Sequence, residues 1–297
     1  MPKVPSVKLP VSGLFGVVKP SGPTSMSVLE KIKPLIANSC LFVEVDKLKK
    51  ETGRTKKAKH TRFGVKIGQG GTLDPLADGV LVVGVGKGTK KLGNFLDCVK
   101  EYHTTCLLGF SALKMGGKPL YEYARNGIPL PRPIEKRKVT VHSLELIEWK
   151  GCEHNFRWPE KKFTEEQRKA VETALQGVEE DVAIRDEPED ATATEQTPTA
   201  FVLRMKVSGG TYVRSIVHDL GHALGSAAHV VTLTRTRQSR FALEPTEEGD
   251  QACIPWKVFE DAVKDAGQAD QDGWAKWERE VLDKLEIVDG KVSGEAV

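Results

Sequence analysis

Cysteine is scarce in this sequence of 297 residues, and its cysteines show no clustered pattern. The cysteines are odd in number, lie far apart and include no CxxC pair. They are Cys40, Cys98, Cys106, Cys152 and Cys253. Disulfide-stapled secreted domains and zinc ribbons instead carry closely spaced cysteines, usually in even numbers. We therefore expect reduced structural thiols in an intracellular protein.

Long apolar runs are also missing. The longest runs, such as Val80–Val85, are short and interrupted by glycine, so none is long enough to cross a membrane. The first residues, MPKVPSVKLPVSG, contain no apolar core of signal-peptide length, and their prolines oppose the amphipathic helix of a mitochondrial presequence. We expect a soluble protein of the nucleus or the cytoplasm.

Signatures of metal, nucleotide and acyl-enzyme chemistry are absent as well. His218 and His222 have the spacing of zinc ligands on a helix, but HDLGH lacks the glutamate of HExxH. The stretch GVGKGTKK matches neither GxxxxGK[ST] nor GxGxxG, and the sequence has no GxSxG. We expect neither a metal nor a cofactor.

The net charge is only +3, but the charges are segregated along the chain. The run Lys47–Lys66 contains Glu51 as its only acid, whereas Glu179–Asp190 is strongly acidic and reads as a flexible insertion. A basic run of this kind is either a solvated loop or a contact for nucleic-acid phosphates. Charge alone leaves both interpretations open.

Hydrophobic periodicity predicts strands and helices without a regular alternation or an internal repeat. Strands are predicted at Leu14–Lys19, Phe63–Ile67, Val80–Val85, Glu101–Leu108, Lys138–Trp149, Phe201–Val207 and Val230–Thr236. Helices are predicted after a cap at Ser25 and at Lys87–Val99, Pro119–Arg125, Thr164–Gln176, Tyr212–Leu224, Trp256–Val263 and Trp274–Leu285. This mixture indicates an α+β fold.

Three short segments could carry chemistry. In GQGGTLDPLADG, glycines and a proline surround Asp74 between two apolar runs, which could fix a carboxylate at the rim of a sheet. In SGGTYVR, Arg214 begins a predicted helix, and in KEY, Tyr102 begins a predicted strand. Each segment also has a purely structural interpretation: a tight turn, a helix-start arginine and a sheet-surface tyrosine.

Five stretches in this order resemble the TruB family of tRNA pseudouridine synthases, in particular its eukaryotic, fungal branch. They are GLFGVVKPSGPTS, GGTLDPLADGVL, KEY, FSALKMGGKPLYEYARNGI, and SGGTYVRSIVHDLG followed by AHVVTLTRTRQSRF. The resemblance extends from about Gly13 to Phe241. It implies the pseudouridine-synthase catalytic fold, a mixed and mainly antiparallel sheet with flanking helices.

The resemblance also suggests how the chain is divided. Residues 1–12 form a flexible N-terminus and residues 13–245 the catalytic domain, which carries the basic insertion 38–62 and the acidic insertion 178–199. Residues 246–297 form a C-terminal helical tail that none of the family motifs covers. The eukaryotic branch also serves mitochondria, which adds that compartment to the nucleus and cytoplasm.

For activity, the resemblance implies isomerisation of the T-loop uridine of tRNA, position 55 in tRNA numbering, to pseudouridine without a cofactor or metal. Asp74 would be the catalytic carboxylate, Tyr102 would stack on the base, and Arg214 would pair with Asp74 and keep it ionised. The residues expected to bind substrate or support the site are Lys19, Gln69, Lys100, Tyr212 and Leu233.

The implied partner is the T-arm of tRNA, whose uridine must be flipped out of the loop before it can react. RNAs with a T-loop-like hairpin are further candidate partners, and we expect a monomer that does not bind membranes. With tRNA as the substrate, the basic run Lys47–Lys66 gains a role on phosphates.

Two departures from the family pattern stand out. Bacterial members place a histidine five residues before the aspartate, where this chain has Gln69. In addition, Gly109 runs directly into Phe110, where the family has a Thr-rich turn with an aspartate, a helix and an Ile-Pro-Pro turn. We expect several dozen residues to be missing there, which opens an alternative function: a catalytically impaired tRNA-binding or tRNA-folding protein.

Overall fold

The computed structural model describes residues 9–51, 65–109, 138–157, 164–166, 169, 197–265 and 267–288. The chain divides into two compact units. The first comprises Met1–Tyr102, Lys206–Gly210 and Leu233–Val297, and the second comprises His103–Met205 and Thr211–Thr232.

The described strands are numbered along the chain. They are β1 (Gly13–Lys19), β2 (Ile67–Gln69), β3 (Asp78–Val85), β4 (Lys100–Gly109), β5 (Val141–Gly151), β6 (Thr199–Val207), β7 (Ala227–Gln238), β8 (Phe241–Ala242), β9 (Gln251–Ala252), β10 (Ile254–Pro255) and β11 (Glu286–Ile287). The described helices are α1 (Ser25–Asn38), α2 (Val45–Glu51), α3 (Gly93–Asp97), α4 (Val213–Ala223), α5 (Trp256–Lys264) and α6 (Lys276–Lys284), with a 3-10 helix at Gly86–Lys91.

Strands β1 and β3 form the centre of the first unit. They pair antiparallel from Gly13 opposite Val85 to Lys19 opposite Gly79. Because neighbouring residues of a strand point to opposite faces, Val80 and Val82 enter one core and Leu81 and Val83 the other. Both faces are therefore buried, which explains why these strands read as continuous apolar runs in the sequence.

Helices α1, α5 and α6 cover one of these faces. Phe15 of β1 stacks on Phe259 of α5 with ring centroids 6.1 Å apart, and Trp277 of α6 joins the same core. The two predicted C-terminal helices are thus confirmed, and both pack into the first unit. The division into a catalytic domain and a tail stays a prediction.

Helix α1 corrects one expectation about its start. The cap is Thr24, whose side chain accepts a hydrogen bond of 3.0 Å from the backbone N–H of Ser27. Ser25, the expected cap, is the first helical residue and is buried. The helix continues past Pro34 to Asn38 because its apolar face, which includes Ile32 and Ile36, is fixed in the core.

The expected helix Lys87–Val99 is wrong in extent. A 3-10 helix at Gly86–Lys91 is followed by the short helix α3. Gly88 approaches β1 so closely that a Cβ atom there would lie 2.0 Å from the carbonyl oxygen of Gly13. Tertiary packing and the poor helix propensity of glycine therefore override the helical spacing. The strand expected at Phe63–Ile67 shares only Ile67 with β2, which begins at that residue. Residues 63 and 64 lie outside the described residues, and residues 65 and 66 are not in a strand.

In the first unit the strand order is β10–β1–β3–β7, and in the second it is β7–β4–β6–β5. Within the second unit, the hydroxyl of Thr104 donates to the carbonyl oxygen of Thr232 at 2.8 Å. The registers described are parallel in some pairs and antiparallel in most, with helices packed on the sheet. The α+β class predicted from the sequence is confirmed.

Some predictions fall outside the described residues. The helix at Pro119–Arg125 and the stretch FSALKMGGKPLYEYARNGI lie there completely, as does most of the helix at Thr164–Gln176. Across the part of the chain that is described, no helix is both long enough and apolar enough to cross a membrane.

Candidate active site

Residues Gly68–Gly79, called here the aspartate loop, connect β2 to β3 and carry Asp74. The backbone N–H of Ala77 donates to the carbonyl oxygen of Asp74 at 3.1 Å, which closes a turn with Pro75 at its second position. Aspartate and proline favour these two turn positions. Asp74 is half-buried, while Pro75 and Leu76 are exposed, so the carboxylate lies at the rim of the sheet.

Ser25 fixes the residue before Asp74. Its hydroxyl accepts a hydrogen bond from the backbone N–H of Leu73 at 2.9 Å and donates to the carbonyl oxygen of Leu73 at 3.1 Å. The Leu73 side chain is buried in the unit. Both backbone groups of Leu73 are therefore satisfied by one side chain, which limits the motion of the adjacent Asp74.

Lys19, at the end of β1, holds the other side of the turn. Its fully buried amine donates to the carbonyl oxygens of Ala77 at 2.6 Å, Pro20 at 2.9 Å and Pro75 at 3.3 Å. Burial lowers the pKa of Lys19, whereas the carboxylates of Asp78 and Asp74 act in the opposite direction. Lys19 thus places a buried positive charge directly beside the aspartate loop.

Two side chains of β7, Arg235 and Gln238, also reach the aspartate loop. Arg235 donates from Nε to the carbonyl oxygen of Val80 at 2.7 Å and from Nη2 to that of Gly71 at 3.0 Å. Gln238 donates to the carbonyl oxygens of Gly70 and, at 2.9 Å, Phe95. The motifs do not single out either residue. The available signal is strand alternation, which places Arg235 on the same face as the buried Leu233.

Gln69 lies at the start of the aspartate loop and is half-buried. Its Nε2 donates to the hydroxyl of Thr72 at 3.1 Å. Its Oε1 is buried and accepts no hydrogen bond from the described residues. An unsatisfied buried acceptor costs free energy, so this oxygen is a candidate acceptor for a substrate donor. The expected role of Gln69 in holding the flipped base stays a prediction.

Lys100 and Tyr102 lie at the start of β4. The amine of Lys100 donates to the carbonyl oxygens of Cys98 at 2.7 Å and Leu96 at 2.8 Å, and burial lowers its pKa. Tyr102 exposes only 6% of its surface. The amine of Lys100 therefore stabilises the chain reversal after α3. The expected contact of Lys100 with RNA stays a prediction. The expected stacking of Tyr102 on the base stays a prediction as well.

Tyr212 and Arg214 belong to the second unit, whereas Asp74 and Leu233 belong to the first. Tyr212 directly precedes α4 and exposes 45% of its surface, and Arg214 lies in the first turn of that helix. The expected pairing of Arg214 with Asp74, and the expected pocket walls Tyr212 and Leu233, stay predictions. Further along α4, the rings of His218 and His222 lie 4.3 Å apart, and the described residues contain no group of three potential metal ligands.

The family description "TruB family pseudouridylate synthase (N terminal domain)" matches residues 56–111 and 108–164. A protein named tRNA pseudouridine synthase 4 from Schizosaccharomyces pombe is 31% identical over 339 positions, which cover 83% of this chain and 82% of that protein. The protein of the same name from Saccharomyces cerevisiae is 29% identical and covers 94% and 87% of the two chains.

The fold comparison found an archaeal box H/ACA sRNP Nop10-Cbf5 complex with a TM-score of 0.49 and 21% identity, which covers 93% of this chain and 64% of that chain. The alignment with the S. pombe protein shows that the two chains differ in length within the matched region. Its 339 positions exceed the 297 residues of this chain, so the relative contains residues that this chain lacks. The two stretches matched to the family overlap at residues 108–111, which include the Gly109–Phe110 junction.

The aspartate loop and the extended similarity now point to one family. The relative from S. pombe shares more than 30% identity over most of both chains, and the family description matches the loop that carries Asp74. This chain belongs to the TruB family of pseudouridine synthases.

Proposed function

We propose that this protein converts a uridine of tRNA to pseudouridine, and that the target is the T-loop uridine at position 55 in tRNA numbering. The observation that carries the proposal is the aspartate loop, which presents Asp74 at the sheet rim on a turn held by Ser25 and Lys19. Relatives named tRNA pseudouridine synthase 4 and tRNA pseudouridine synthase B support tRNA as the substrate.

The reaction is an isomerisation, so its atoms balance without a co-reactant. The bond between C1′ of the ribose and N1 of uracil breaks, the base turns, and a bond forms between C1′ and C5. The proton on C5 is lost and N1 gains a proton. Asp74 would attack the ribose or promote cleavage of the glycosidic bond, so catalysis depends on positioning and proton transfer.

The T-loop uridine is inaccessible until it is flipped, so binding must recognise the shape of the loop. Tyr102 would stack on the flipped base. The basic insertion would contact phosphates, and of its run Lys47–Lys66 the structure describes residues 47–51, 65 and 66. An intact aspartate loop and relatives named as synthases both favour the enzyme over the binding-only alternative.

The test is incubation of the purified full chain with an unmodified tRNA transcript, followed by carbodiimide mapping of pseudouridine. The variant Asp74→Asn should form no product and bind tRNA within about twofold of the unchanged chain. Asp261→Asn, on the exposed side of α5 in a surface ion pair with Lys257, is the matched control and should retain full activity.

A second transcript, with cytidine in place of the T-loop uridine, tests the position. It should yield no product. Product at a different uridine would overturn position 55 while leaving a tRNA pseudouridine synthase. Absence of product with bound tRNA would instead favour the binding-only function.

A further inference from the structure

We propose that Arg235 and Gln238, called here the β7 clamp, are positioning residues that hold the aspartate loop in its reactive geometry. The proposal rests on the proposed function of Asp74 and adds two residues that act through the backbone of its loop. The clamp lies completely within the first unit, on the strand that pairs in parallel with the end of the aspartate loop, where Gly79 is opposite Arg235.

The guanidinium of Arg235 forms hydrogen bonds to both the aspartate loop and the start of β3, and so links the two segments. Its two acceptors, the carbonyl oxygens of Gly71 and Val80, lie on either side of Asp74 in the sequence. Arg235 exposes only 1% of its surface. Because a guanidinium is planar and rigid, hydrogen bonds from two of its nitrogens fix the distance and the angle between the two backbone segments.

Gln238 holds the entry to the same loop. Its amide donates to the carbonyl oxygen of Gly70 and to that of Phe95, which anchors the loop on the end of α3. The side chain of Gln238 is fully buried. At Gly71, whose φ of +125° favours glycine, an added Cβ atom would lie 3.3 Å from Nε2 of Gln238. The loop and the clamp therefore pack at close range.

The two buried cations beside the aspartate loop, Lys19 and Arg235, indicate a role beyond stabilising the fold. Burial is the main cause that lowers the pKa of Lys19, and Arg235 lowers it further because the two buried cations repel each other beside the aspartate loop. Burying two like charges is costly, and replacing them with apolar residues is often favourable for stability alone. Here the cations donate five hydrogen bonds to backbone carbonyls around Asp74. This arrangement fixes a backbone that carries a reactive carboxylate at an exposed turn.

Loss of the clamp should therefore slow the chemical step more than it weakens tRNA binding. A displacement of about 1 Å in a reacting group costs up to about 100-fold in rate. In Gln238→Met and Arg235→Lys, we expect the rate constant measured under single-turnover conditions to fall about 10- to 100-fold. The Kd for tRNA should stay within about twofold of that of the unchanged chain. Lysine can donate to one of the two carbonyl oxygens but cannot bridge both with a planar group, so Arg235→Lys should retain part of the rate that Arg235→Met loses.

The matched control is Arg237→Met on the same strand. Arg237 binds the carboxylate of Asp250 and does not contact the aspartate loop in any hydrogen bond described. The variant Arg237→Met should have a lower Tm than the unchanged chain and the same kcat. The unchanged chain, assayed in parallel, separates the two proposals, because a failure of the proposed function would leave no activity in the unchanged chain either.

The outcome that overturns the clamp is a fall in Tm with unchanged kcat in Gln238→Met and Arg235→Lys. Equal losses of kcat and of tRNA affinity would also overturn it, because they indicate general disruption. If neither variant folds, the two side chains have a purely structural role and the proposal is wrong.

Discussion

The amine of Lys19 donates a hydrogen bond of 2.6 Å to the carbonyl oxygen of Ala77, which lies 58 residues further along the chain. The same Ala77 closes the turn at Asp74 through its N–H. One buried side chain of β1 thereby determines where the aspartate loop turns. The sequence motif GVVKPSG and the motif GGTLDPLADG are distant in the chain, but their residues form one hydrogen-bonded unit.

Lys19→Met should lower both stability and turnover. Methionine preserves the length of the apolar stem but removes the donor from the carbonyl oxygens of Pro20 and Ala77, whereas that of Pro75 still accepts from the backbone N–H of Gly22 at 2.7 Å. Leaving buried acceptors unsatisfied costs about 1 to 3 kcal/mol. If Lys19 supports the loop, kcat falls and the KM for tRNA changes little. A raised KM with unchanged kcat, measured by pseudouridine formation, would instead assign Lys19 to direct substrate binding.

The control for this variant is Lys257→Met, because the Lys257 side chain is 78% exposed and, among the residues described, pairs at the surface with Asp261. Surface pairs of this type contribute about 0 to 1 kcal/mol. Urea unfolding should therefore barely distinguish Lys257→Met from the unchanged chain.

Two adjacent residues at the start of α1 allow a sharper comparison. Thr24→Ala removes the helix cap and should cost about 1 kcal/mol without changing kcat. Ser25→Ala removes both hydrogen bonds to Leu73 and should cost a similar amount of stability while also lowering kcat. The comparison uses urea unfolding and single-turnover rates. Equal kcat values in the two variants would show that Ser25 is structural alone.

The sequence allowed much of this arrangement to be predicted. Glycine, proline and apolar runs around Asp74 are local signals, and they placed the aspartate loop at the rim of the sheet between two strands. Arg235 and Gln238 carry no such signal, because an arginine in a strand usually points to solvent. Their burial depends on pairing between β3 and β7, which lie far apart in the chain. The cap at Thr24 was missed because Ser25 is an equally good cap chemically, and only its contact with Leu73 decides between them.

Gly79→Ala should be among the most destabilising single substitutions in the first unit. Gly79 has a φ of +99°, and an added Cβ atom would lie 2.2 Å from the carbonyl oxygen of Arg235. The contact is with backbone, so it can be relieved only by moving β3 away from β7. Gly249→Ala is the matched control, since its φ of +85° carries similar strain but open space surrounds it.

We expect Gly249→Ala to cost about 1 to 2 kcal/mol from backbone strain, and Gly79→Ala to cost about 3 kcal/mol or more. Thermal unfolding of both variants measures the difference. Similar Tm values for the two would mean that β3 and β7 separate easily at this register, contrary to the close approach described.

The ion pair between Arg237 and Asp250 should make stability depend on pH. Asp250 accepts hydrogen bonds from Arg237 and from the backbone N–H groups of Thr246 and Glu247, both at 2.8 Å. These donors, Arg237 foremost, hold the pKa of Asp250 well below its usual range. The folded state therefore keeps Asp250 ionised at pH values where the unfolded chain, with a carboxyl pKa of about 3.9, takes up a proton. Stability from this group is fully present above about pH 4 and is lost as the pH falls toward the lower pKa of the folded state.

Asp250→Asn removes that contribution, so the variant should be less stable than the unchanged chain by about 1 to 3 kcal/mol at pH 7. The difference should shrink as the pH is lowered below about 4, because the unfolded form of the unchanged chain then takes up a proton at this carboxyl and is stabilised by it, while the folded form stays ionised. Urea unfolding at a series of pH values measures it, with Asp261→Asn as the control, since that surface carboxylate is 52% exposed. A difference that stays constant down to pH 3 would show that Asp250 acts through its shape and neutral hydrogen bonds. A difference that shrinks would identify its ionised form as the group that fixes the Thr246–Asp250 loop against Arg237, the neighbour of the clamp residue Gln238.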